Sequence, residues 1–168
     1  MATITLKNAP VHTQGDLPAK GSKAPDFRLT GTDMSDFRLS NFSGKRVILN
    51  IFPSLHTGIC ASSMRKFNMM ASKLDNTSVI CVSKDLPFSF KNFCGAEGID
   101  NLICGSEFRD TSFSSAYGVI MQEGSMEGLM SRAIVVVDTE GTILYTEQVP
   151  EIGQEPDYEA AIAAAQGS

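Results

Sequence analysis

Two periods alternate along this chain. Val47-Ile48-Leu49-Asn50-Ile51-Phe52 is a continuous apolar run rich in β-branched residues, the pattern of a strand buried on both faces. Turn formers from Pro53 to Gly58 interrupt it. From Cys60 the spacing becomes helical: Met64, Phe67, Ala71 and Leu74 recur on one side, with Ser63, Lys66 and Lys73 mostly between them. A strand thus runs into a loop that delivers one cysteine to the first turn of a helix. After a turn at Asn76-Thr77, Ser78-Val79-Ile80-Cys81-Val82-Ser83 reads as a second buried strand. Strand, helix and strand make a βαβ unit, which implies parallel pairing and a right-handed crossover.

The flanking segments are shorter. Thr3-Ile4-Thr5-Leu6-Lys7 alternates, Asn8-Ala9-Pro10 turns, and Val11-His12-Thr13 returns, predicting an N-terminal β-hairpin followed by a loop over residues 15–25. Short strands are predicted at residues 27–30 and 36–39, around the turn Gly31-Thr32-Asp33. Pro87 suits the first turn of a helix that carries Phe88, Phe90, Phe93 and Cys94. A short strand follows at residues 102–105 and a short helix at 111–117. The Gly/Met-rich stretch 118–128 holds Met121 and Met126, which suit a substrate mouth, a subunit contact or plain packing. Residues 129–138 predict a strong strand, turned by Thr139-Glu140-Gly141 into an antiparallel partner at 142–146. A last helix starts near Glu155-Pro156-Asp157-Tyr158, with acids at its favourable end. Parallel and antiparallel strands combine in one mixed sheet, an α/β architecture.

Composition narrows the function. A chain of 168 residues with 42% hydrophobic and 20% charged content fits one packed domain, 1–168, with residues 1–20 as a hairpin-and-loop extension. A formal charge of −5 argues against nucleic acid or an anionic membrane as the main partner. No apolar run reaches the roughly 20 residues needed to span a bilayer. Residues 1–20 show neither a basic start nor an apolar stretch of signal-peptide type, so a cytoplasmic location is expected. The four cysteines, Cys60, Cys81, Cys94 and Cys104, contain no CxxC pair, and only His12 and His56 could join them, which disfavours structural zinc. In a reducing cytosol a disulfide among them would be catalytic rather than structural.

Cys60 is where position and chemistry meet. The first N–H groups of a helix lack intrahelical partners and carry partial positive charge, so a thiolate there is stabilised. Thr57 can cap the helix or aim its hydroxyl above the sulfur. Pro53, with fixed φ and no N–H, can shape the loop mouth. Taken alone, Cys60 also continues an apolar stripe, where a cysteine is usually buried and inert. Cys81 and Cys104 sit inside apolar strands and read as core fillers, although the nearness of Cys104 to Cys94 leaves an alternative pairing open. Cys94 is open between packing and reactivity, with Gly95 after it adding mobility. Arg132 by itself reads as an edge charge paired with a surface carboxylate, and His12 as a hairpin surface residue.

The flanks change this balance. Pro53-x-x-x-Thr57-x-x-Cys60 resembles the peroxiredoxin active-site pattern. Asn50-Ile51-Phe52-Pro53, Thr57-Gly58-Ile59-Cys60-Ala61 and Arg65-Lys66-Phe67-Asn68 are similar to the thiol peroxidase, or atypical two-cysteine, branch of that family. So are Asp85-Leu86-Pro87-Phe88 and Phe93-Cys94-Gly95-Ala96-Glu97-Gly98. The resemblance covers nearly the whole chain, most firmly residues 46–68, 84–102 and 129–158. It implies a thioredoxin-like α/β fold with an N-terminal extension. It also implies reduction of hydrogen peroxide and organic hydroperoxides by Cys60 in antioxidant defence. By the same resemblance Cys94 resolves the Cys60 sulfenic acid as an intramolecular disulfide; because a disulfide needs Cα atoms within roughly 7 Å, the first turn near Cys60 and the segment around Cys94 are expected to unfold partly to meet. Arg132 faces the reactive sulfur, Thr57 holds the peroxide and Pro53 excludes water. Thioredoxin is the implied reductant and a homodimer the implied assembly, with no metal, flavin or haem required. His56 stands where this branch often carries an acid. Two rival readings keep the fold: a binding or chaperone module with a structural Cys60, and a general thiol–disulfide oxidoreductase. The latter is disfavoured because Thr57 occupies the place of a CxxC partner. The peroxidase reading expects the Cys60 sulfur to be ionised at neutral pH, open to small oxidants and close to an arginine.

Overall fold

The computed structural model describes residues 1–167. In chain order the strands are β1 (Thr3–Leu6), β2 (Ala9–His12), β3 (Arg28–Thr30), β4 (Asp36–Arg38), β5 (Arg46–Ile51), β6 (Thr77–Ser83), β7 (Leu102–Ser106), β8 (Ala133–Val137) and β9 (Ile143–Gln148). The helices are α1 (Gly58–Ala71), α2 (Pro87–Glu97), α3 (Ser112–Tyr117) and α4 (Tyr158–Gln166). Strands β1 and β2 form a separate antiparallel ribbon, and the other seven form one sheet in the order β4-β3-β7-β6-β5-β8-β9. The expected βαβ unit is present: β5 and β6 pair in parallel from Arg46↔Thr77 to Ile51↔Val82, with α1 as the crossover. On the other side β5 pairs antiparallel with β8, so the sheet is mixed.

The apolar run of β5 has a clear physical destination. Its successive side chains point to opposite faces of the sheet. Val47, Leu49 and Ile51 join a core with Phe27, Phe113 and Tyr117. Ile48 joins Phe67, Tyr158 and Ala161 under α1 and α4. Asn50 faces α1 as well, and accepts a hydrogen bond from Ser63 Oγ at 3.3 Å. A third apolar cluster, with Phe52, Leu55, Met64 and Phe90, covers the C-terminal end of the strand and contains Cys60, Cys81 and Cys104, with Cys94 packed against it.

Two expectations need correction, and of the readings open for the Gly/Met-rich loop the packing one fits. The N-terminal hairpin forms, but its turn is Lys7-Asn8, both at positive φ (52° and 68°), and Pro10 lies within β2 opposite Thr5. A two-residue hairpin turn needs positive φ at both central positions, which asparagine tolerates, and proline is accommodated in an edge strand. The strand predicted at 129–138 starts at Ala133. The residues before it bond instead to the preceding loop: Met130 bridges Ile120, and Ser131 N–H donates to Val119 O at 2.7 Å. The Gly/Met-rich loop is packing: Met121 is buried with Ile4, Val11 and Ile152, and Met126 packs against them.

The hairpin is tied to the body of the molecule. Thr5 N–H donates to Pro150 O at 2.8 Å and Ile152 N–H donates to Thr5 O at 2.9 Å. His12 pairs with Glu123 across the hairpin's outer side, as a surface residue would.

Candidate active site

β5 ends at Ile51, and the chain passes through buried Phe52 and Pro53 into a turn in which Leu55 is buried and His56 exposed, before α1 begins at Gly58. Two contacts fix this loop. The Asp85 carboxylate, on the link between β6 and α2, accepts from Ser54 Oγ at 2.9 Å and from Leu55 N–H at 2.9 Å. Thr57 is the N-cap of α1: its hydroxyl accepts from Cys60 N–H at 3.4 Å and donates to Ser54 O at 3.2 Å. Cys60 therefore sits at the third position of the helix, within the first turn, where backbone N–H groups are unsatisfied and the macrodipole is positive. His56 is exposed at the loop tip, its backbone N–H donating to Ser54 Oγ at 3.2 Å.

Arg132 reaches the sulfur from the opposite element. It stands just before β8 and is 2% exposed. Its Nη1 donates to Cys60 Sγ at 3.1 Å, and its Nε donates to Ile152 O at 3.0 Å. Gln148 Nε2 in turn donates to the Arg132 carbonyl at 3.1 Å. Among the described residues no carboxylate forms an ion pair with Arg132, so the surface pair expected from its position in isolation is absent. A guanidinium costs several kcal/mol to bury uncompensated, and its polar acceptors here are a carbonyl and a sulfur.

One expectation about the sulfur itself is overturned. Cys60 is 0% exposed, not open to solvent, because it continues the α1 stripe into the cluster of Phe52, Leu55 and Met64. Yet Gly58 is exposed, and Thr57 and Ile59 are partly so. The sulfur lies one layer below the surface. A larger cavity of about 440 Å³, lined by Lys23, Leu39, Phe42 and Val137, lies at the opposite end of the sheet and plays no part here.

All four cysteines are free thiols. Cys81 is buried on β6, in register with Asn50 on one side and Cys104 on the other. Its burial pushes the thiol up to about 12, partly offset by a hydrogen bond from Asn50. Cys94, on α2, is half-buried and does not meet Cys60; its sulfur lies 3.5 Å from that of Cys104. The hydrogen bond from Cys104 holds the Cys94 thiol below its ordinary value, against a smaller opposing effect of burial. Cys104 is pushed up, by that same shared proton first and by burial second. The structure thus brings Cys60, Thr57, Arg132 and the Pro53 loop together and leaves Cys94 with a different neighbour. Among the described residues no group of three or more His, Cys, Asp or Glu could hold a metal ion.

Sequence reasoning missed Asp85 and the Ile152 carbonyl, whereas the nearness of Cys104 to Cys94 in the chain did point to the contact of those two sulfurs. Asp85 lay inside a quoted motif, but its task depends on which loop packs against it.

A family model described as Redoxin matches residues 19–162. The chain belongs to the redoxin family. Among relatives, a thiol peroxidase of Mycobacterium bovis is 54% identical over 164 residues, spanning 98% of each chain. A peroxiredoxin-like protein from Aquifex aeolicus superimposes with a TM-score of 0.93 at 32% identity, over 98% of this chain and 96% of that one. A thiol peroxidase from Chromobacterium violaceum shares the fold, with a TM-score of 0.89 at 22% identity over 98% and 95% of the two chains. The redoxin match includes α1 and α2, which carry Cys60 and Cys94, and Arg132 just before β8, and the thioredoxin-like architecture is shared with these relatives.

Proposed function

We propose that the chain is a thiol-dependent peroxidase that reduces hydroperoxides at Cys60, on the strength of one observation above all: the Arg132 guanidinium donating to Cys60 Sγ at 3.1 Å. The Cys60 thiolate attacks one oxygen of the peroxide and the O–O bond breaks. The sulfur becomes a sulfenic acid and the distal oxygen leaves, protonated, as water or an alcohol. Charge grows on that leaving oxygen as the bond breaks. Arg132 and the first-turn N–H groups of α1 are the donors at hand, each such donor contributing about 2–4 kcal/mol. Arginine suits the task because its planar fork can address two oxygens, or sulfur and oxygen, together. Thr57 orients the peroxide, which enters as the loop 53–59 opens, and Pro53 limits the water that follows.

Cys94 then attacks the sulfenic sulfur, releasing water and forming an intramolecular disulfide. A disulfide needs Cα atoms within roughly 7 Å, so the start of α1 and the Cys94 segment of α2 must rearrange. A thioredoxin-type dithiol returns both thiols by exchange. Residues 1–168 act as one catalytic domain, working as a cytoplasmic homodimer. Among the described residues no helix is long and apolar enough to cross a membrane.

Stopped-flow mixing with hydrogen peroxide and with a bulkier organic hydroperoxide tests this. Wild type is expected to consume one equivalent rapidly and lose two thiols, and Cys60→Ser to do neither. Rapid consumption by Cys60→Ser sinks the proposal.

A further inference from the structure

Cys104 has no part in the steps above, yet its sulfur is the one in contact with Cys94. Resting on the Cys60–Cys94 reading, we infer that Cys94 and Cys104 are a second redox pair, which takes the disulfide over from Cys60 and returns Cys60 to its thiol while the molecule is still oxidised.

The geometry favours the transfer. The two sulfurs are 3.5 Å apart across a sequence separation of 10, so a bond between them needs an approach of only about 1.5 Å. Cys94 lies on α2 and Cys104 on β7, elements already packed together. The Cys60–Cys94 bond, by contrast, holds two elements away from their resting contacts. Cys60 has the stronger provision for negative charge: Arg132 at 3.1 Å and the start of α1. In thiol–disulfide exchange the sulfur better stabilised as an anion is the better leaving group. Cys104, once Cys94 is in the disulfide, no longer shares its proton with a Cys94 thiolate, which removes the largest effect holding it protonated.

The step is a single exchange. Cys104 gives up its proton, and its thiolate attacks Cys94 Sγ. The Cys94–Cys104 bond forms as the Cys60–Cys94 bond breaks. The electron pair of the broken bond leaves on Cys60 Sγ, and the released proton goes to solvent or to that thiolate. No new oxidant is consumed; the same two-electron deficit has moved. It has also moved to an accessible place. Cys94 and Cys104 line an open groove of about 430 Å³ with Thr32, Phe37, Lys91 and Ile103, where an external dithiol can reach half-buried Cys94. Cys81 is a bystander, fully buried and kept protonated by that burial.

The test is a quenched time course on the full chain. Reduced protein receives one equivalent of hydrogen peroxide, free thiols are alkylated at intervals, and disulfide-linked peptides are mapped by mass spectrometry without reduction. The expected result is a 60–94 linkage that rises first and a 94–104 linkage that replaces it, with Cys60 alkylated again at late times. A second equivalent then adds one oxygen to the Cys60 peptide, as a sulfenic acid trapped by dimedone, while the 94–104 linkage stays intact. In Cys104→Ala the 60–94 linkage persists. A 60–94 linkage that persists in wild type overturns the relay and leaves the peroxidase reading standing. A 94–104 linkage that forms equally fast in Cys60→Ser also overturns it, since the pair would then be oxidised directly. The absence of any 60–94 linkage, with Cys60→Ser as reactive as wild type, overturns the underlying reading instead.

Discussion

At the residue scale the decisive pair is Cys60 and Arg132, 72 positions apart and joined at 3.1 Å. Replacing Arg132 with lysine keeps the charge but loses the planar fork and one of two fixed hydrogen bonds. The rate constant for hydrogen peroxide is expected to fall by about 10²–10³-fold, read by stopped flow, while the midpoint of thermal unfolding changes far less than the rate. Cys81 makes a different prediction. Burial raises its folded-state pKa to about 12, above the roughly 8.5 of an unfolded thiol. Its contribution to stability is complete below pH 8.5 and is lost as pH climbs toward 12. Cys81→Val should therefore show a shallower decline in melting temperature across that alkaline window than wild type. Of these residues, Cys60, Thr57 and Pro53 were legible because they are neighbours in the chain and form a pattern together. Arg132 was legible only through family resemblance; from its own flanks it read as a surface charge. The contact of Cys94 with Cys104 was legible only as an alternative suggested by their nearness in the chain, because it depends on how closely α2 seats against β7.

At the element scale, the strand–loop–helix unit from β5 to α1 was readable because its period changes sharply at Pro53. What holds the loop was not readable. Asp85 comes from the next crossover and bonds Ser54 and Leu55, a contact that exists only once β5 and β6 are paired. Asp85→Ala should leave the Leu55 N–H unpaired and loosen the loop, lowering the peroxide rate about tenfold through a loss on the order of 1–1.5 kcal/mol. Thr57→Ala removes the cap of α1 and should cost about 1 kcal/mol of stability in urea titration, with a larger effect on the peroxide rate than on stability. If the two variants lose stability but keep the rate, the loop does not position the chemistry. The starts of β2 and β8 escaped the pattern for different reasons: the hairpin turns at Lys7-Asn8, so β2 pairs with β1 from Ala9, while Met130 and Ser131 before β8 bond to the preceding loop, which periodicity does not record.

At the scale of the whole molecule, the N-terminal hairpin takes part in the site without touching it. β1 bonds the segment 150–152 on both sides, and the Ile152 carbonyl at the end of that segment accepts from Arg132 Nε at 3.0 Å. Ile4 and Val11 bury Ile152 and Met121 from above. Deleting residues 1–13 should leave the seven-stranded sheet folded, by circular dichroism, yet reduce the peroxide rate at least tenfold, because the carbonyl that steadies the guanidinium becomes free to drift. An unchanged rate in the truncated chain would make the hairpin a mere cover.

The solitude of Arg132 has one more consequence. With no carboxylate to balance it among the described residues, the buried cation relies on whatever negative charge the sulfur carries. In the proposed cycle oxidation of Cys60 removes that partner, and stranding a buried ion costs about 3–5 kcal/mol. The penalty falls on the packing around the start of α1 at the moment that region must let go. In the proposed cycle catalysis carries its own trigger: the reaction removes the counter-ion of Arg132, and reduction restores it.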